Sequence, residues 1–346
     1  MISEAVGARV QLVPHFIGDG QIGWHERAVA ELGAGELLLR VRGNALCGTD
    51  RAQLVSGSEV TPGHEAVGEV IEVGTDTTTP AGTLGVVYLM DFCGSCRSCR
   101  AGATNQCLAK RGDMGFTRDG GYGRYELIRE SSFFPVPGDL DPADATLLLD
   151  VMGTTSHALA RALSIRADAE SFVVAGAGPV GLGAVAMWRL LLGSERPVLV
   201  SDVVPYRLEL AARLGATPVD LRGTSLADAV KDAGLADGVD VAMDTAGRHA
   251  ARRELLDVLG RRGVLVCVGH GEGLRLSVSD DLIAPERAVL GSEYFRYDEL
   301  PRNLELLRHN RNYLGQIITH RLPIDAIEDA YRLFLDGSTG KVVIEQ

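Results

Sequence analysis

The feature that most restricts the fold is an alternation of short apolar strands with helices between Ser171 and Gly269. The strands are SFVVAGAG, PVLVSD, VDVAMDTAG and GVLVCVG, and the helices are PVGLGAVAMWRLLLG, which Gly193 ends, PYRLELAARLGA and HAARRELLDVLGRRG. Strands that are repeatedly followed by helices indicate parallel pairing through right-handed crossovers. We therefore predict an α/β fold with a doubly wound sheet in this region.

The chain on either side of this region has a different pattern. GELLLRVRGNAL, AVGEVIEVG, GVVYLM and GRYELIRE are short segments rich in β-branched residues and separated by glycine turns, which predicts a β-rich domain. After Pro137 the spacing becomes helical, and Asp141 is a plausible N-cap with Pro142 at the first helical position. The tail from Gly291 to Gln346 predicts a helix pair and a last strand, GKVVIEQ, that could return to the first domain. At 346 residues the chain is long enough for two domains.

Charge and hydropathy restrict the partners. The chain has 34 Lys and Arg against 46 Asp and Glu, a formal net charge of −12, which repels nucleic acid and anionic lipid headgroups. Apolar runs such as Val264 to Val268 are far shorter than the roughly 20 residues that a membrane span needs. The sequence shows no charged and then apolar leader with a cleavage site. We therefore expect a cytoplasmic protein with a small-molecule substrate and no nucleic-acid or membrane partner.

Four of the six cysteines lie close together in DFCGSCRSCRAGATNQC, with the spacing CxxCxxCx7C. Cys93, Cys96, Cys99 and Cys107 could surround one Zn²⁺ tetrahedrally and leave no open position, which is typical of a structural zinc. Two disulfides are less expected, because such frameworks belong mostly to small secreted domains. An iron–sulfur cluster or a redox dithiol could also use cysteines at such a spacing. Cys267, in an apolar strand, is interpreted as a core residue.

The stretch AGAGPVGLG follows a predicted strand and opens a helix, the context in which GxGxxG predicts a dinucleotide site. Glycines allow a tight turn, and the helix N-terminus offers N–H groups to a pyrophosphate. A glycine-rich turn without a ligand is the alternative. Asp202 ends the next strand, where a carboxylate binds the adenosine ribose and repels a 2′-phosphate, so NAD is favoured over NADP. Arg207 could offset part of that repulsion. The predicted cofactor contacts in this region are Gly176, Gly178, Pro179, Val180, Gly181, Asp202, Arg207 and Val268.

A second metal site is predicted from residues that are far apart in the sequence. Cys47 lies just past an apolar strand, His64 and Glu65 lie at a strand edge, and Asp150 ends an apolar run, where an unpaired charge is unfavourable. Thiolate, imidazole and carboxylate would leave a fourth position open, as a catalytic zinc requires. A core cysteine, a solvated pair and a helix cap are the respective alternatives. His157 is interpreted as a packed histidine.

Taken together, these motifs resemble the zinc-dependent medium-chain alcohol dehydrogenase family over nearly the whole chain. GHExxGxxxxxG matches from Gly63 to Gly74, CGTD matches from Cys47 to Asp50, and the four-cysteine lobe matches in full. The resemblance implies a GroES-like catalytic domain from residues 1–150 and 291–346, with the zinc lobe at about 91–110. It implies a Rossmann domain from residues 151–290, two zinc ions per chain, and hydride transfer between an alcohol and NAD. We expect a homodimer or a homotetramer.

The resemblance also implies roles for individual residues. Cys47, His64 and Asp150 would be the catalytic zinc ligands, and Glu65 would lie behind them or bind the metal transiently. Thr49 would hold the substrate hydroxyl, and Thr154 would lie against the nicotinamide.

The sequence departs from many relatives at Ala52, where they carry a histidine that passes the alcohol proton toward solvent. The substrate stays open between a polyol, sugar or cyclitol and a simple secondary alcohol or amino alcohol of the threonine type. The direction could also be carbonyl reduction. A zinc-free quinone or enoyl reductase, or a noncatalytic NAD-binding protein, would not require Cys47, His64, Glu65 and Asp150.

Overall fold

The computed structural model describes residues 9–346, and the chain divides into two compact units. Among the described residues, the first unit contains residues 9–149, with Arg321–Arg332 and Val342–Gln346, and the second contains Asp150–His320 and Leu333–Lys341. Within the described residues, no helix has the length and apolar character needed to cross a membrane.

The elements of the N-terminal part, in chain order, are β1 Val10–Gly18, β2 Gln21–Ala28, β3 Glu36–Ala45, α1 Asp50–Ser56, β4 Ala66–Val73, β5 Leu84–Val87, α2 Arg97–Arg100, β6 Tyr125–Arg129, β7 Phe133–Pro135 and α3 Pro142–Thr146. The elements that follow are α4 Thr155–Leu163, β8 Phe172–Ala175, α5 Pro179–Leu192, β9 Val198–Asp202, α6 Pro205–Arg213, β10 Thr217–Asp220, α7 Leu226–Asp232, β11 Val239–Asp244, α8 His249–Asp257, β12 Leu259–Cys267 and β13 Ala288–Gly291. The last are α9 Leu300–His309, α10 Arg311–Leu314, β14 Ile318–Pro323, α11 Ile327–Asp336 and β15 Lys341–Glu345.

The second unit contains a six-stranded sheet in the order β10-β9-β8-β11-β12-β13. All of its neighbouring strands pair in parallel, which confirms the predicted doubly wound sheet. The strand β10 and the helix α7 were not predicted. Strand β10 is only 4 residues long, lies at the sheet edge and contains Pro218, so its sequence lacks the apolar run of its neighbours.

The first unit is rich in antiparallel β-structure, as predicted. The second sheet has the order β14-β15-β3-β4-β5-β7, with β6 also paired to β3. Strand β15 pairs with β3, with Val343 opposite Ala45, so the last strand of the chain does return to this sheet. The β1–β2 hairpin was not predicted, because Val10, Leu12 and Ile17 are exposed and the strand lacks a clean alternation of buried and exposed residues.

The helical spacing after Pro137 does not form one continuous helix. Asp141 caps α3 as predicted, since its side chain accepts hydrogen bonds from the backbone N–H groups of Ala143 and Asp144. Helix α3 then ends at Thr146, and a π-helical turn at Asp150–Thr154 leads into α4. Such turns occur frequently at functional sites, because they shift the backbone relative to a regular helix.

The compact units differ from the predicted domain boundary in residues 291–320, which cluster with the second unit. Side-chain contacts with α4 explain this. Nδ1 of His157 lies 3.1 Å from both carboxylate oxygens of Glu299, and Asn303 donates to the Ser156 hydroxyl at 3.1 Å. Strand β13 also forms the edge of the parallel sheet. The segment after Gly291 is therefore attached to the parallel-sheet unit by polar contacts, which hydrophobic spacing does not reveal, together with buried apolar residues such as Phe295 and Leu300.

Candidate active site

Four buried side chains with metal-binding atoms meet at one place. One ligand atom from each of Cys47, His64, Glu65 and Asp150 lies within 4.8 Å of the others. The four residues are at most 7% exposed. The boundary between the compact units falls at the peptide bond from Leu149 to Asp150, so Asp150 opens the π-helical turn directly after the first unit. The structure therefore brings together the residues that were predicted from separate motifs.

Asn44, in β3, connects this strand to the segment before β4 that carries His64 and Glu65. Its Oδ1 accepts a hydrogen bond from the backbone N–H of Glu65 at 3.0 Å, and the N–H of Ala45 donates to the Glu65 carbonyl at 3.3 Å. Gly63 has φ +96°, and a Cβ there would overlap the Asn44 side chain. The glycine before His64 is therefore required both by its backbone conformation and by this close approach.

Asp50 is a buried residue of the CGTD motif to which the sequence alone assigned no role. It is fully buried, and its Oδ1 lies 3.1 Å from Nδ1 of His64. A carboxylate next to one ring nitrogen favours a proton on that nitrogen, which leaves the other nitrogen to bind a metal. The sequence could have suggested this residue, because an acidic residue next to a predicted ligand is a frequent orienting partner.

The donor set of the four-residue cluster fits a divalent cation. Acidic and thiol groups buried this close together are mutually unfavourable when ionised, and a bound cation would offset their charge. Sulfur, nitrogen and carboxylate oxygen are the donors that zinc binds in proteins. The Thr49 hydroxyl donates to Sγ of Cys47 at 3.2 Å, so it lies beside one of the predicted ligands.

The predicted zinc lobe forms a second cluster. The sulfur atoms of Cys93, Cys96, Cys99 and Cys107 lie within 4.8 Å of one another, all four residues are partly exposed, and no disulfide joins any of the cysteines in the described part of the chain. In this geometry none of these four sulfur atoms is bonded to another. Four thiolates at this separation fit a closed tetrahedral site.

Backbone N–H groups point at the sulfur atoms of this lobe. The N–H groups of Ser95 and Cys96 lower the pKa of Cys93 to about 6, and those of Cys99 and Leu108 lower the pKa of Cys96. Burial, followed by the neighbouring cysteine side chains, raises the pKa of Cys99 to about 12. The backbone therefore favours negative sulfur at Cys93 and Cys96, whereas Cys99 would need a bound cation to ionise.

The glycine-rich loop lies between β8 and α5, as the motif predicts. Gly176 has φ +96°, and a Cβ on Gly181 would overlap the carbonyl oxygen of Gly176. Gly178 is the N-cap residue of α5, and Pro179 occupies its first turn, followed by Val180. The loop thus presents the N-terminus of a 14-residue helix, which is a suitable site for a pyrophosphate.

Asp202 and Arg207 both lie at this loop. Asp202 accepts hydrogen bonds from the N–H of Ala177 at 2.7 Å and, through its other oxygen, from Val203 and Val204. A methyl group built on Gly178 would lie 4.0 Å from Nη1 of Arg207. The carboxylate and the guanidinium therefore lie beside the predicted pyrophosphate site.

The remaining predicted residues lie on the elements that surround these sites. Val268 directly follows β12 and donates its N–H to the Asp244 carbonyl at 2.9 Å. Thr154 is buried at the end of the same π-helical turn as Asp150. Cys267 packs, half-buried, against the core of the parallel sheet, and burial raises the pKa of its thiol.

Comparisons with known proteins identify a family for each part of the chain. Residues 33–138 match the model of the alcohol dehydrogenase GroES-like domain, and residues 179–309 match that of the zinc-binding dehydrogenases. L-threonine 3-dehydrogenase from Rhizobium johnstonii is 31% identical over 93% of this chain and 94% of its own length. The chain belongs to the zinc-dependent medium-chain alcohol dehydrogenase family. As a member of this family, it is an oxidoreductase that transfers a hydride between a small-molecule alcohol and a nicotinamide cofactor.

Solved structures have the same fold as this alcohol dehydrogenase. One is described as a short chain alcohol dehydrogenase from Escherichia coli CFT073 complexed with NADH, with a TM-score of 0.87, 21% identity, and coverage of 97% of this chain and 99% of that one. Another, a zinc-binding dehydrogenase from Sinorhizobium meliloti 1021, is bound to NADP, with a TM-score of 0.84, 25% identity, and coverage of 98% and 100%. The predicted GroES-like and Rossmann architecture is thus confirmed.

Proposed function

We propose that this alcohol dehydrogenase oxidises a polar secondary alcohol with NAD, at a zinc ion held by Cys47, His64 and Asp150. The observation that carries the proposal is the buried cluster, in which these three side chains and Glu65 have ligand atoms within 4.8 Å of one another. Three protein ligands leave a coordination position for a substrate oxygen. We assign Glu65 to the rear of the site, where it would bind the metal transiently.

Bound zinc would supply Lewis acidity, which lowers the pKa of an alcohol toward neutrality. The chain itself must hold the substrate and accept its proton. The Thr49 hydroxyl, 3.2 Å from Sγ of Cys47, is well placed to receive that proton. Thr154, in the same turn as Asp150, is the residue that we assign to the nicotinamide ring.

The proton has to leave without the histidine that many relatives use. Ala52 occupies that position, in the first turn of α1, and Thr49 is the residue just before this helix. Since an alanine side chain cannot accept a proton, we propose a shorter path from the Thr49 hydroxyl to solvent or to the cofactor ribose.

The four-cysteine lobe is assigned to a second zinc ion with a structural role. All four cysteines would serve as ligands of this ion, so no coordination position would remain for a substrate.

For the cofactor, we propose NAD rather than NADP because of Asp202. Its carboxylate lies at the glycine-rich loop, where it would bind ribose hydroxyls and repel a 2′-phosphate. Asp202→Ala should lower kcat/KM with NAD and narrow its advantage over NADP. An unchanged ratio would refute the assignment of Asp202, and Arg207→Ala tests the opposing charge in the same assay.

A second candidate substrate is L-threonine. It is supported by the 31% identity with L-threonine 3-dehydrogenase. The content of 8 Phe, 8 Tyr and 2 Trp in the whole chain gives little support to a large aromatic substrate site. Polyols, sugars and cyclitols are therefore the first class to compare with L-threonine, in both the oxidation and the reduction direction.

The test is metal analysis joined to a substrate screen on the purified full-length enzyme. We expect two zinc ions per chain and NAD-dependent oxidation of at least one polar secondary alcohol. One zinc ion per chain with no dehydrogenase activity would refute the proposal. The predicted homodimer or homotetramer, the cytoplasmic location and the domain boundaries remain predictions, and the first is testable by light scattering of the same sample.

A further inference from the structure

A buried polar network lies behind the predicted catalytic zinc site. Its centre is Asp50, which is fully buried. One carboxylate oxygen, Oδ1, lies 3.1 Å from Nδ1 of His64. The other, Oδ2, accepts a hydrogen bond from the backbone N–H of Cys47 at 3.1 Å. Asp50 therefore contacts two predicted zinc ligands, one through each oxygen.

Two tyrosines from distant parts of the sequence reach the same Oδ2 atom. The hydroxyl of Tyr331, in α11, donates to it at 2.9 Å, and the hydroxyl oxygen of Tyr122, in the loop before β6, lies 3.4 Å from it. The two hydroxyl oxygens are 3.0 Å apart. Both tyrosine side chains are almost completely buried, at 0% and 2% exposure for Tyr122 and Tyr331.

The number of protons decides how this network is arranged. Each phenol has one proton to donate. The shorter distance assigns the proton of Tyr331 to Asp50, which leaves the oxygen of Tyr331 as an acceptor for Tyr122. Tyr122 therefore supports the carboxylate mainly through Tyr331, and its own longer bond to Asp50 is available when Tyr331 is absent.

The surroundings keep both phenols neutral and in place. Burial, with the negative charge of Asp50, raises the pKa of Tyr122 and of Tyr331 well above the usual value, so both remain hydrogen-bond donors. Phe16 packs against both rings, with its centroid 5.2 Å from that of Tyr331 and 6.5 Å from that of Tyr122. The aromatic cluster therefore restricts the rotation of the tyrosine rings.

We propose that Tyr331 is a positioning residue of the catalytic zinc site, which holds the Asp50 carboxylate in the orientation that directs Oδ1 toward His64. With Oδ1 held 3.1 Å from Nδ1, the charge of the carboxylate would favour a proton on Nδ1 and leave Nε2 as the metal-binding atom. The inference rests on the proposed function, because it assumes zinc at this cluster. It gives the C-terminal helix α11 a role in the affinity for metal.

The two tyrosines should differ in a defined way. In Tyr331→Phe, Asp50 loses its shortest side-chain donor, and we expect zinc affinity at this site to fall about 10-fold, the lower end of the range for residues that orient metal ligands. In Tyr122→Phe the 2.9 Å bond remains, so the affinity should stay within about twofold of the parent. The double variant should lose more binding free energy for zinc than the two single variants lose together, because Tyr122 can no longer replace Tyr331.

The experiment measures zinc affinity by competition with a chromogenic chelator, in the full-length parent, both single variants and the double variant. Each variant is also combined with His64→Ala, which removes a ligand of the same site. If the affected ion is the one at His64, Tyr331→Phe should cause no further loss of zinc in that background. The zinc ion of the four-cysteine lobe is an internal reference and should be retained throughout. Excess zinc should restore much of the kcat/KM that Tyr331→Phe loses.

The inference is overturned if Tyr331→Phe and the double variant bind the second zinc ion as tightly as the parent, even when their melting temperatures fall. It is also overturned if zinc leaves the four-cysteine lobe instead. A failure of the proposed function is distinguishable, because it would be seen in the parent as the absence of a second zinc ion or of dehydrogenase activity. Phenylalanine keeps the aromatic ring, so both single variants should fold. If the double variant does not fold, the zinc affinities of the two single variants decide the question.

Discussion

The two clusters of potential metal ligands in this dehydrogenase are built on different principles. The lobe of Cys93, Cys96, Cys99 and Cys107 comes from one short, partly exposed segment, and backbone N–H groups support its sulfur atoms. The cluster of Cys47, His64, Glu65 and Asp150 is buried, uses three types of donor, and depends on side chains from distant parts of the chain. A local site with one kind of ligand is suited to holding a fold together. A buried mixed site with an orienting network is suited to binding a reacting oxygen.

The sharpest test of this difference is His64→Ala. We expect kcat/KM to fall by roughly 10³-fold or more, because Lewis-acid stabilisation of the transition state is worth several kcal/mol. Zinc content should fall from two ions to one. Metal analysis and steady-state kinetics check this, and an active variant with both ions would show that the buried cluster is not the reaction centre.

Thr49→Val tests the chemistry beside the buried cluster without removing a ligand. Valine is nearly isosteric but has no hydroxyl, so we expect kcat for oxidation to fall roughly 10²-fold, the size of a lost acid–base step. Zinc content should not change. Ala52→His should raise the rate of alcohol oxidation below pH 8 if the site accepts the imidazole ring, because histidine has an unperturbed pKa of about 6.5 and can accept the proton. Parental rates and pH profile in Thr49→Val would exclude the proposed proton path.

Cys96→Ser tests the other cluster. The sulfur of Cys96 accepts N–H groups from Cys99 and Leu108, and serine would supply a poor zinc ligand. We expect loss of one zinc ion and a lower melting temperature, by about 2–4 °C for each kcal/mol of lost stability. The kcat at low temperature should stay near the parental value. If the zinc content and the melting temperature do not change, the assignment of a structural zinc ion to the lobe is refuted.

The smallest effect is expected for Glu126, a buried carboxyl that contrasts with Asp50. It is 1% exposed, and neither carboxyl oxygen has a hydrogen-bond partner among the described residues. Burial, with a smaller effect of Asp119, raises its pKa well above the usual 4.5. The folded state therefore holds this proton more tightly, and the stability present below pH 4.5 is lost as the pH rises toward the folded-state pKa.

Glu126→Gln removes that titration. The melting temperature of the variant should therefore exceed that of the parent increasingly as the pH rises above about 5, and the two should differ least near pH 4. Glu328→Gln, on an exposed position of α11, is the matched control and should follow the parental curve. If the melting temperatures of Glu126→Gln and the parent differ by the same amount at every pH in this range, the expected titration of Glu126 is contradicted.

The sequence predicted the parts of the molecule whose signals are local. The four-cysteine spacing, the glycines of the loop after β8 and the alternation of strands and helices each lie within one segment, so their geometry follows from neighbouring residues. The buried cluster draws on three separate segments of the chain. The chemistry of its residues suggested a metal site, and the family motifs then supplied the role of each residue. The roles of Tyr122 and Tyr331 could not be predicted, because on α11 a tyrosine at a buried position has the pattern of an ordinary core residue.

Anomalous diffraction at the zinc edge from crystals of the full-length enzyme tests the central claim most directly. We predict two peaks per chain, one at the centre of the four cysteines and one within bonding distance of Cys47, His64 and Asp150. A single peak at the cysteine lobe, in an enzyme that still oxidises its alcohol at the full rate, would contradict it.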